Sequence, residues 1–229
     1  MANKLLAGLW LLVASTAQAG WLEQNNYQLQ ASISLDAVNE DASGLAFDPV
    51  RQRLWLVADN AYLYELSPAG EVLRRIQLKG FEDPEGISWL GHDAGNTRLA
   101  ISEERRGEVL AIEVNSHSTT LDYRQAKRLA SFGKQASNNG IEGLAVASQG
   151  QIFAVSEQNP QAVYRIDAQG ITELWRIGWL DFWREPLDYA GLAYVPQTHS
   201  LLVVSDRSRE LREYDLQGNT LGRLKLDAS

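Results

Sequence analysis

Short apolar runs recur along this chain, each preceded by a glycine-centred phrase and followed by a polar turn. Four runs are nearly continuous in apolar residues, at positions 54–58, 99–102, 152–156 and 201–205. Runs of this length, bounded by turn residues, are typical of strands buried on both faces. Alternating segments follow two of them, for example Val163-Tyr164-Arg165-Ile166 and Leu211-Arg212-Glu213-Tyr214. The pattern therefore predicts an all-β protein built from short antiparallel strands.

The glycine-centred phrases predict how these strands are grouped. They are Ser43-Gly44-Leu45-Ala46-Phe47, Glu85-Gly86-Ile87-Ser88-Trp89, Glu142-Gly143-Leu144-Ala145-Val146 and Ala190-Gly191-Leu192-Ala193-Tyr194. Their glycines are 42, 57 and 48 residues apart. Repeats in the forties with strand content are typical of β-propellers, in which each repeat is one four-stranded blade. We predict one propeller domain over residues 20–229, with each phrase as the innermost strand of a blade.

A lone alternating segment at residues 27–35 precedes the first phrase. We expect it to be the outermost strand of a blade whose other strands would have to follow Ser229. The prediction is thus a five-bladed design with four full blades and an incomplete last blade. A second possibility is that this strand pairs with the outer edge of blade four, which would leave an open or four-bladed ring.

Residues 1–19 have the pattern of a signal peptide. Lys4 gives a positive start, an apolar stretch follows, and Ala17-Gln18-Ala19 is a small-x-small cleavage site before Gly20. We expect cleaved export to the periplasm, with a retained inner-membrane anchor as the alternative. The chain has no cysteine and a net charge of −8. An acidic body argues against nucleic acid, whose phosphates require a basic face, and we expect a monomer that binds a small ligand or an envelope protein.

Carboxylates follow the second strand of every predicted blade. Asp59, Glu103, Glu157 and Asp206 occupy equivalent positions, so we predict a ligand-binding face there. Glu85 and Glu142 precede their glycines and should approach the central channel, where they are candidate metal ligands. Calcium prefers such oxygen ligands. The simpler alternative is that each acid caps its own strand end or pairs with an arginine, and the sequence leaves both open.

Nucleophile elbows, P-loops, dinucleotide fingerprints and zinc-ligand spacings are all missing from the sequence. A non-catalytic binding propeller is therefore our first hypothesis, and a calcium-dependent hydrolase of lactonase or phosphatase type is the second. An aromatic cluster is expected either to cover the side of blade three or to seal the joint to blade four, with a sugar or partner site as the alternative. Its members are Trp175, Trp179, Phe182 and Trp183.

Several of these segments resemble a known family. The most specific is Gly80-Phe81-Glu82-Asp83-Pro84-Glu85-Gly86-Ile87, and Ser102-Glu103-Glu104-Arg105-Arg106 and Gly140-Ile141-Glu142-Gly143-Leu144 add to it. They resemble the SdiA-regulated (YjiK-like) family of bacterial propellers that are exported or membrane-anchored. The resemblance implies a propeller without an assigned catalytic residue, with calcium-responsive behaviour linked to some relatives. Family members carry a further Glu-Gly-Ile blade segment at the C-terminus that this chain lacks.

Overall fold

The computed structural model describes residues 20–24, 27, 33–35, 38, 42–133, 140–147, 150–157, 160–178, 186 and 188–226. Within these residues, helix is confined to a short α1 (Trp21–Gln24) and a 3-10 turn at Tyr123–Gln125. Neither is long and apolar enough to cross a membrane. The predicted signal peptide, residues 1–19, lies outside the described residues.

Seventeen strands make up the rest of the described secondary structure. They are β1 (Ala42–Asp48), β2 (Arg53–Ala58), β3 (Tyr62–Leu66), β4 (Val72–Lys79), β5 (Pro84–Asp93), β6 (Asn96–Glu103), β7 (Glu108–Val114), β8 (Thr120–Asp122), β9 (Lys127–Ser131), β10 (Ile141–Val146), β11 (Ile152–Ser156), β12 (Ala162–Asp167), β13 (Gly170–Arg176), β14 (Gly191–Val195), β15 (Ser200–Ser205), β16 (Glu210–Tyr214) and β17 (Thr220–Lys225).

The strands form four sheets, each containing four antiparallel strands, which confirms the predicted propeller with four full blades. Their orders are β1-β2-β3-β4-β8, β5-β6-β7-β9, β10-β11-β12-β13 and β14-β15-β16-β17, and only β8 adds a parallel neighbour. The four glycine phrases open the innermost strands β1, β5, β10 and β14, as predicted. Apolar side chains fill the spaces between successive sheets: Trp55 and Leu63 of blade one share a core with Leu99 and Ile112 of blade two. Burial of these faces is what makes neighbouring blades depend on each other.

The phrase glycines let neighbouring inner strands approach closely. A Cβ at Gly44 would meet the backbone oxygen of Glu85, and one at Gly86 would lie 2.7 Å from the backbone oxygen of Glu142. At Gly143 a Cβ would lie 2.8 Å from the backbone nitrogen of Leu192. Backbone atoms cannot move aside easily, so glycine is required at these three joints. The recurring glycine is therefore explained by the spacing of blades around the channel.

The fourth blade ends this series of joints. A Cβ at Gly191 would contact only Val204, which belongs to the same sheet. The pairs β1–β5, β5–β10 and β10–β14 are in close contact, and the described residues show no comparable contact between β14 and β1. Leu45 of β1 is consequently 58% exposed. The described ring is open between blade four and blade one.

The predicted strand at residues 27–35 does not form where the structure describes it. Tyr27 and residues 33–35 belong to no strand, and residues 28–32 lie outside the described residues. Leu35 and Val38 pack instead on blade one, against the core of Leu56, Ala58, Tyr64 and Leu66. The outer edge of blade four carries helix α1, which contacts β17 and β16. The end of this segment therefore buries apolar side chains against blade one without forming a strand.

Blade two differs from the other blades at its outer edge. Its outer strand is β9, and the short strand β8, which precedes β9 in the chain, belongs to another sheet. Strand β8 pairs in parallel with β4 of blade one, with Gln77 opposite Thr120 and Lys79 opposite Asp122. The loop of blade two therefore covers the outer edge of blade one, which would otherwise present unpaired backbone groups.

Candidate functional site

Three carboxylates converge where blade two begins. Asp83 and Glu85 flank Pro84 at the start of β5, and side chains two residues apart in an extended chain point to the same side. Glu104 follows β6, and its backbone N–H donates to the Asp83 carbonyl over 2.9 Å, which holds the two segments together. One carboxylate oxygen from each of the three residues lies within 4.8 Å of the others. We call this group the acidic mouth.

Glu142 of blade three adds a fourth carboxylate to this region. The pKa of Glu142 is raised from its ordinary value of 4.5 to about 9. Burial is the largest cause, and the negative charges of Glu85, Glu104, Glu157 and Asp83 follow in that order. Burial also raises the pKa of Glu85 to about 7, with Asp59 as the next cause. Both pKa shifts arise from burial first and from neighbouring carboxylates second, so the protonated form of these two side chains is favoured in the absence of a cation.

Positive charge reaches only part of the acidic mouth. Arg105 Nε lies 2.9 Å from Asp83 Oδ2, on an exposed side chain, and Arg106 pairs with the neighbouring Glu82 at 2.6 Å. Within the described residues, no arginine or lysine pairs with Glu85, Glu104 or Glu142. The Gly140 N–H donates to Glu104 Oε1 over 2.8 Å, which fixes that side chain while leaving its charge unpaired. The site is therefore suited to an added cation.

The four carboxylates predicted as a ligand-binding face do not share one environment. Asp59 accepts a hydrogen bond from the Ser43 hydroxyl and acts electrostatically on Glu85, while Glu157 acts on Glu104 and Glu142. Glu103 is fully buried and accepts the backbone N–H groups of Glu82 and Asp83, at 2.9 and 3.0 Å. It thus caps a loop, as the simpler alternative expected.

Asp206 is the outlying member of the set. It is exposed, and the buried Asp188 takes over the turn, where it accepts from the Ser205 hydroxyl. The structure thus brings Asp59 and Glu157 near the predicted metal ligands Glu85 and Glu142, and it separates Glu103 and Asp206 from them. The assignment of these residues as ligands remains a prediction.

Asp83 and Glu104 were missed by the sequence analysis. Both lie in the segments that carry the family resemblance. The signal for Asp83 is its spacing of two residues from Glu85, which places both on one side of an extended chain. The signal for Glu104 is weaker. Only the capping role of Glu103 reveals that the second glutamate of the pair, and not the first, joins Asp83 and Glu85.

A cavity of about 610 Å³ adjoins the acidic mouth. All four inner strands line it, together with apolar side chains from blades one and four: Leu45, Leu56, Leu192, Leu202, Val204 and Leu211. Among its described lining residues, Glu142 is the only ionisable one. Ligand cavities of this size commonly combine an apolar wall with a few polar groups. The open joint between blades four and one forms its apolar side.

The aromatic cluster is described only in part, since Trp179, Phe182 and Trp183 lie outside the described residues. The Trp175 ring lies 5.8 Å from the ring of Tyr214 in blade four, and it would contact a Cβ placed at Gly218. Trp175 therefore packs across the joint of blades three and four, which agrees with the expected sealing role.

The fold defines this protein as a β-propeller, and comparison with known proteins assigns its family. The sequence profile of the SdiA-regulated family matches residues 17–229, so the chain belongs to that family and the resemblance is confirmed.

Two solved structures share the fold at low sequence identity. A streptogramin B lyase is 10% identical with a TM-score of 0.51, over 81% of this chain and 54% of the lyase. A protein of unknown function from Bacteroides caccae is 11% identical with a TM-score of 0.50, over 82% of this chain and 62% of that protein. The chain thus spans between half and two thirds of the length of these structures. At such identities the likeness shows the fold alone.

Proposed function

We propose that this chain is an exported, non-catalytic propeller that binds a divalent cation, calcium first, at the acidic mouth. The observation that carries the proposal is the convergence of Asp83, Glu85 and Glu104 within 4.8 Å, with Glu142 beside them. Calcium takes six to eight oxygens at about 2.3–2.6 Å and tolerates irregular geometry, which suits carboxylates on separate strands. Backbone carbonyls, water and a bound ligand would supply the remaining oxygens.

A cation would also offset the repulsion that arises when these carboxyl groups ionise. Glu142 and Glu85 must lose their protons to bind calcium, and their raised pKa values oppose this at neutral pH. Cation binding and proton release are therefore coupled, so the affinity for calcium should rise with pH.

The adjoining cavity supports a small organic ligand as the second occupant. Its apolar wall would hold the body of the ligand, and an oxygen of the ligand would complete the coordination of the cation at the Glu142 end. An envelope protein that covers the same face is the other partner consistent with this proposal. We expect a monomeric periplasmic protein, or one anchored to the inner membrane facing the periplasm if the N-terminal segment is retained.

Calcium titration followed by thermal melting tests the cation site. Ligands that bind the native state raise the melting temperature with concentration. We expect a rise at millimolar calcium at pH 8, which Glu85→Gln reduces strongly. Asp206→Asn is the matched control, because it removes the same charge from the equivalent turn of blade four and should leave the rise intact. An unchanged melting temperature at millimolar calcium would contradict the proposal.

A calcium-dependent hydrolase is the second candidate, favoured by one observation. A carboxyl group with a pKa of about 7, as at Glu85, is suited to transfer protons near neutral pH. Hydrolysis of p-nitrophenyl acetate or p-nitrophenyl phosphate that requires calcium and disappears in Glu85→Gln would support it. Calcium binding without turnover of either ester would favour the non-catalytic proposal.

A further inference from the structure

The residues that follow the predicted cleavage site are docked on blade four. Gly20 is buried, and Leu22 of α1 is only 6% exposed. A Cβ at Gly222 of β17 would lie 3.0 Å from the Leu22 Cβ, so the segment rests directly on the outer strand. The Trp21 ring packs on Tyr27 at 5.1 Å. This contact surface begins one residue after Ala19.

The docked segment converges on a buried carboxylate. Glu213 of β16 is fully buried, and it accepts hydrogen bonds from the Leu22 N–H at 2.8 Å and the Thr198 hydroxyl at 3.1 Å, with Ser200 and the Trp21 N–H as further donors. Burial acts to raise its pKa, and the hydrogen bonds, Ser200 first, outweigh burial and hold the pKa below 4.5. Glu213 is therefore ionised, and it also raises the pKa of Tyr27 after burial does.

Every recorded partner of Glu213 in the described residues is a neutral donor. A cation close to this carboxylate would add a Coulomb attraction to these neutral hydrogen bonds. The backbone of Gly20 lies beside Glu213, because a Cβ built on it would be 2.6 Å from Glu213 Oε2 and 2.7 Å from the Leu221 Cβ. The nitrogen of Gly20 is one bond from the Cα that would carry this Cβ.

We propose that cleavage between Ala19 and Gly20 creates the missing partner, because the new α-ammonium group of Gly20 forms an ion pair with Glu213. In the cleavage step, water adds across the peptide bond: the Ala19 carbonyl carbon gains the hydroxyl and becomes a carboxylate. The Gly20 nitrogen leaves as an amine and takes up a proton. Before cleavage the same nitrogen is a neutral amide, so only the processed chain has the ion pair.

The steric fit around Gly20 agrees with this role. A side chain at this position would collide with Glu213 and Leu221, so only glycine allows the backbone here to lie directly beside the carboxylate. The inference concerns the outer edge of blade four and does not depend on the cation site in the channel. It favours processed export over a retained anchor, because processing adds a stabilising contact to the folded propeller.

The pKa of the α-ammonium group in the exported, processed protein is the decisive measurement. The full chain is expressed with export, and N-terminal sequencing must begin Gly-Trp-Leu-Glu. Reductive methylation with 13C-formaldehyde labels the amine while preserving its charge, and NMR then follows its titration with the lysines assigned separately. We expect a pKa at least about one unit above that of the same labelled amine in the urea-unfolded protein, where ordinary α-amino groups titrate near 8.

Two variants that each remove one negative charge distinguish the effect of the ion pair from the effect of the protein's net charge on the amine pKa. Glu213→Gln should return the amine to its unfolded value, whereas Glu23→Gln, on the exposed face of the same helix, should keep the raised pKa. In the wild-type chain the ion pair stabilises the fold below the ordinary amine pKa, and this contribution is lost as pH rises through the folded pKa. An acetylated Gly20 should therefore melt about 2–4 °C lower at pH 6.5, and the gap should close by pH 11.

The proposal is overturned if the amine of the folded wild-type chain titrates at or below its unfolded value. This measurement needs no variant, so it decides the matter even if Glu213→Gln fails to fold. A processed chain that begins at another residue, or an acetylated chain that melts with the free one, overturns it equally.

Discussion

The two sides of the central channel differ, although the same glycine phrase builds both. Between blades two and three the inner strands touch through their backbones, and carboxylates crowd the mouth of the channel. Between blades four and one the joint is open, and the wall is apolar. The comparison teaches that the repeat determines the position of each inner strand. The residues next to the repeat then determine whether the channel wall at that strand is acidic or apolar.

The largest contrast is expected between two equivalent glycines. Gly143→Ala would push a Cβ against the backbone of Gly191 and Leu192, which should destabilise the protein by about 1–3 kcal/mol. Gly191→Ala meets only a side-chain methyl of Val204, which can shift, so its cost should be well below that of Gly143→Ala. Urea unfolding measures both free energies, and equal losses would mean that blade four is packed as tightly as the others.

The next contrast concerns the pH dependence of stability. Because the pKa of Glu142 is raised from 4.5 to about 9, stability should fall as pH rises between these values and level off above them. Glu142→Gln removes this term. Solvent screens part of the repulsion at this half-buried group, so we expect a gain of about 1–2 kcal/mol at pH 8 in the absence of calcium, with little change at pH 4.

Asp206→Asn serves as the control for this effect, since it removes a carboxylate from the exposed turn of blade four. Its unfolding free energy should follow the wild-type pH profile. A Glu142→Gln variant with the wild-type slope would show that the charges of the acidic mouth are already neutralised by other means.

Two adjacent glutamates should separate stability from binding. Glu103→Gln weakens the cap on the Glu82 and Asp83 N–H groups and should cost about 1–2 kcal/mol while leaving the calcium affinity within a few-fold of wild type. Glu104→Gln should lower that affinity by about tenfold or more, because it removes one charge from the convergent three. Calorimetric titration and urea unfolding of both variants check this, and interchanged effects would refute the assignment.

The smallest effect is expected from Arg105. Its guanidinium competes for Asp83 from an exposed position, so Arg105→Ala should raise the calcium affinity by a few-fold and change the stability little. Arg124→Ala is a suitable control, because Arg124 pairs with Asp122 away from the mouth. A weaker affinity in Arg105→Ala would mean that the arginine organises the site.

The fold was predictable because it depends on short sequence segments, each of which indicates its own strand or turn. The glycine phrases and the buried runs identify each blade without knowledge of its neighbours. Strand β8 was not predictable, since its pairing with blade one is decided by an edge that lies more than forty residues earlier in the chain.

The site was predictable in part for the same reason. Glu85 and Glu142 belong to the repeat, so their approach to the channel follows from the repeat. Whether Glu103 or Glu104 faces inward depends on which one meets the loop N–H groups of Glu82 and Asp83, and that contact joins separate segments. Asp206 differs from its counterparts in the other blades because Asp188, from the preceding loop, accepts the hydrogen bond of the Ser205 hydroxyl.

The pairing of β8, from the loop of blade two, with β4 of blade one affects how the molecule opens. Opening β4 requires β8 to detach as well, so amide protons of blades one and two should exchange with solvent as one cooperative unit. Blade four, with an open joint on one side, can open separately and should exchange faster. A partner that enters the channel at the open joint between blades four and one would therefore contact the blade that opens most easily.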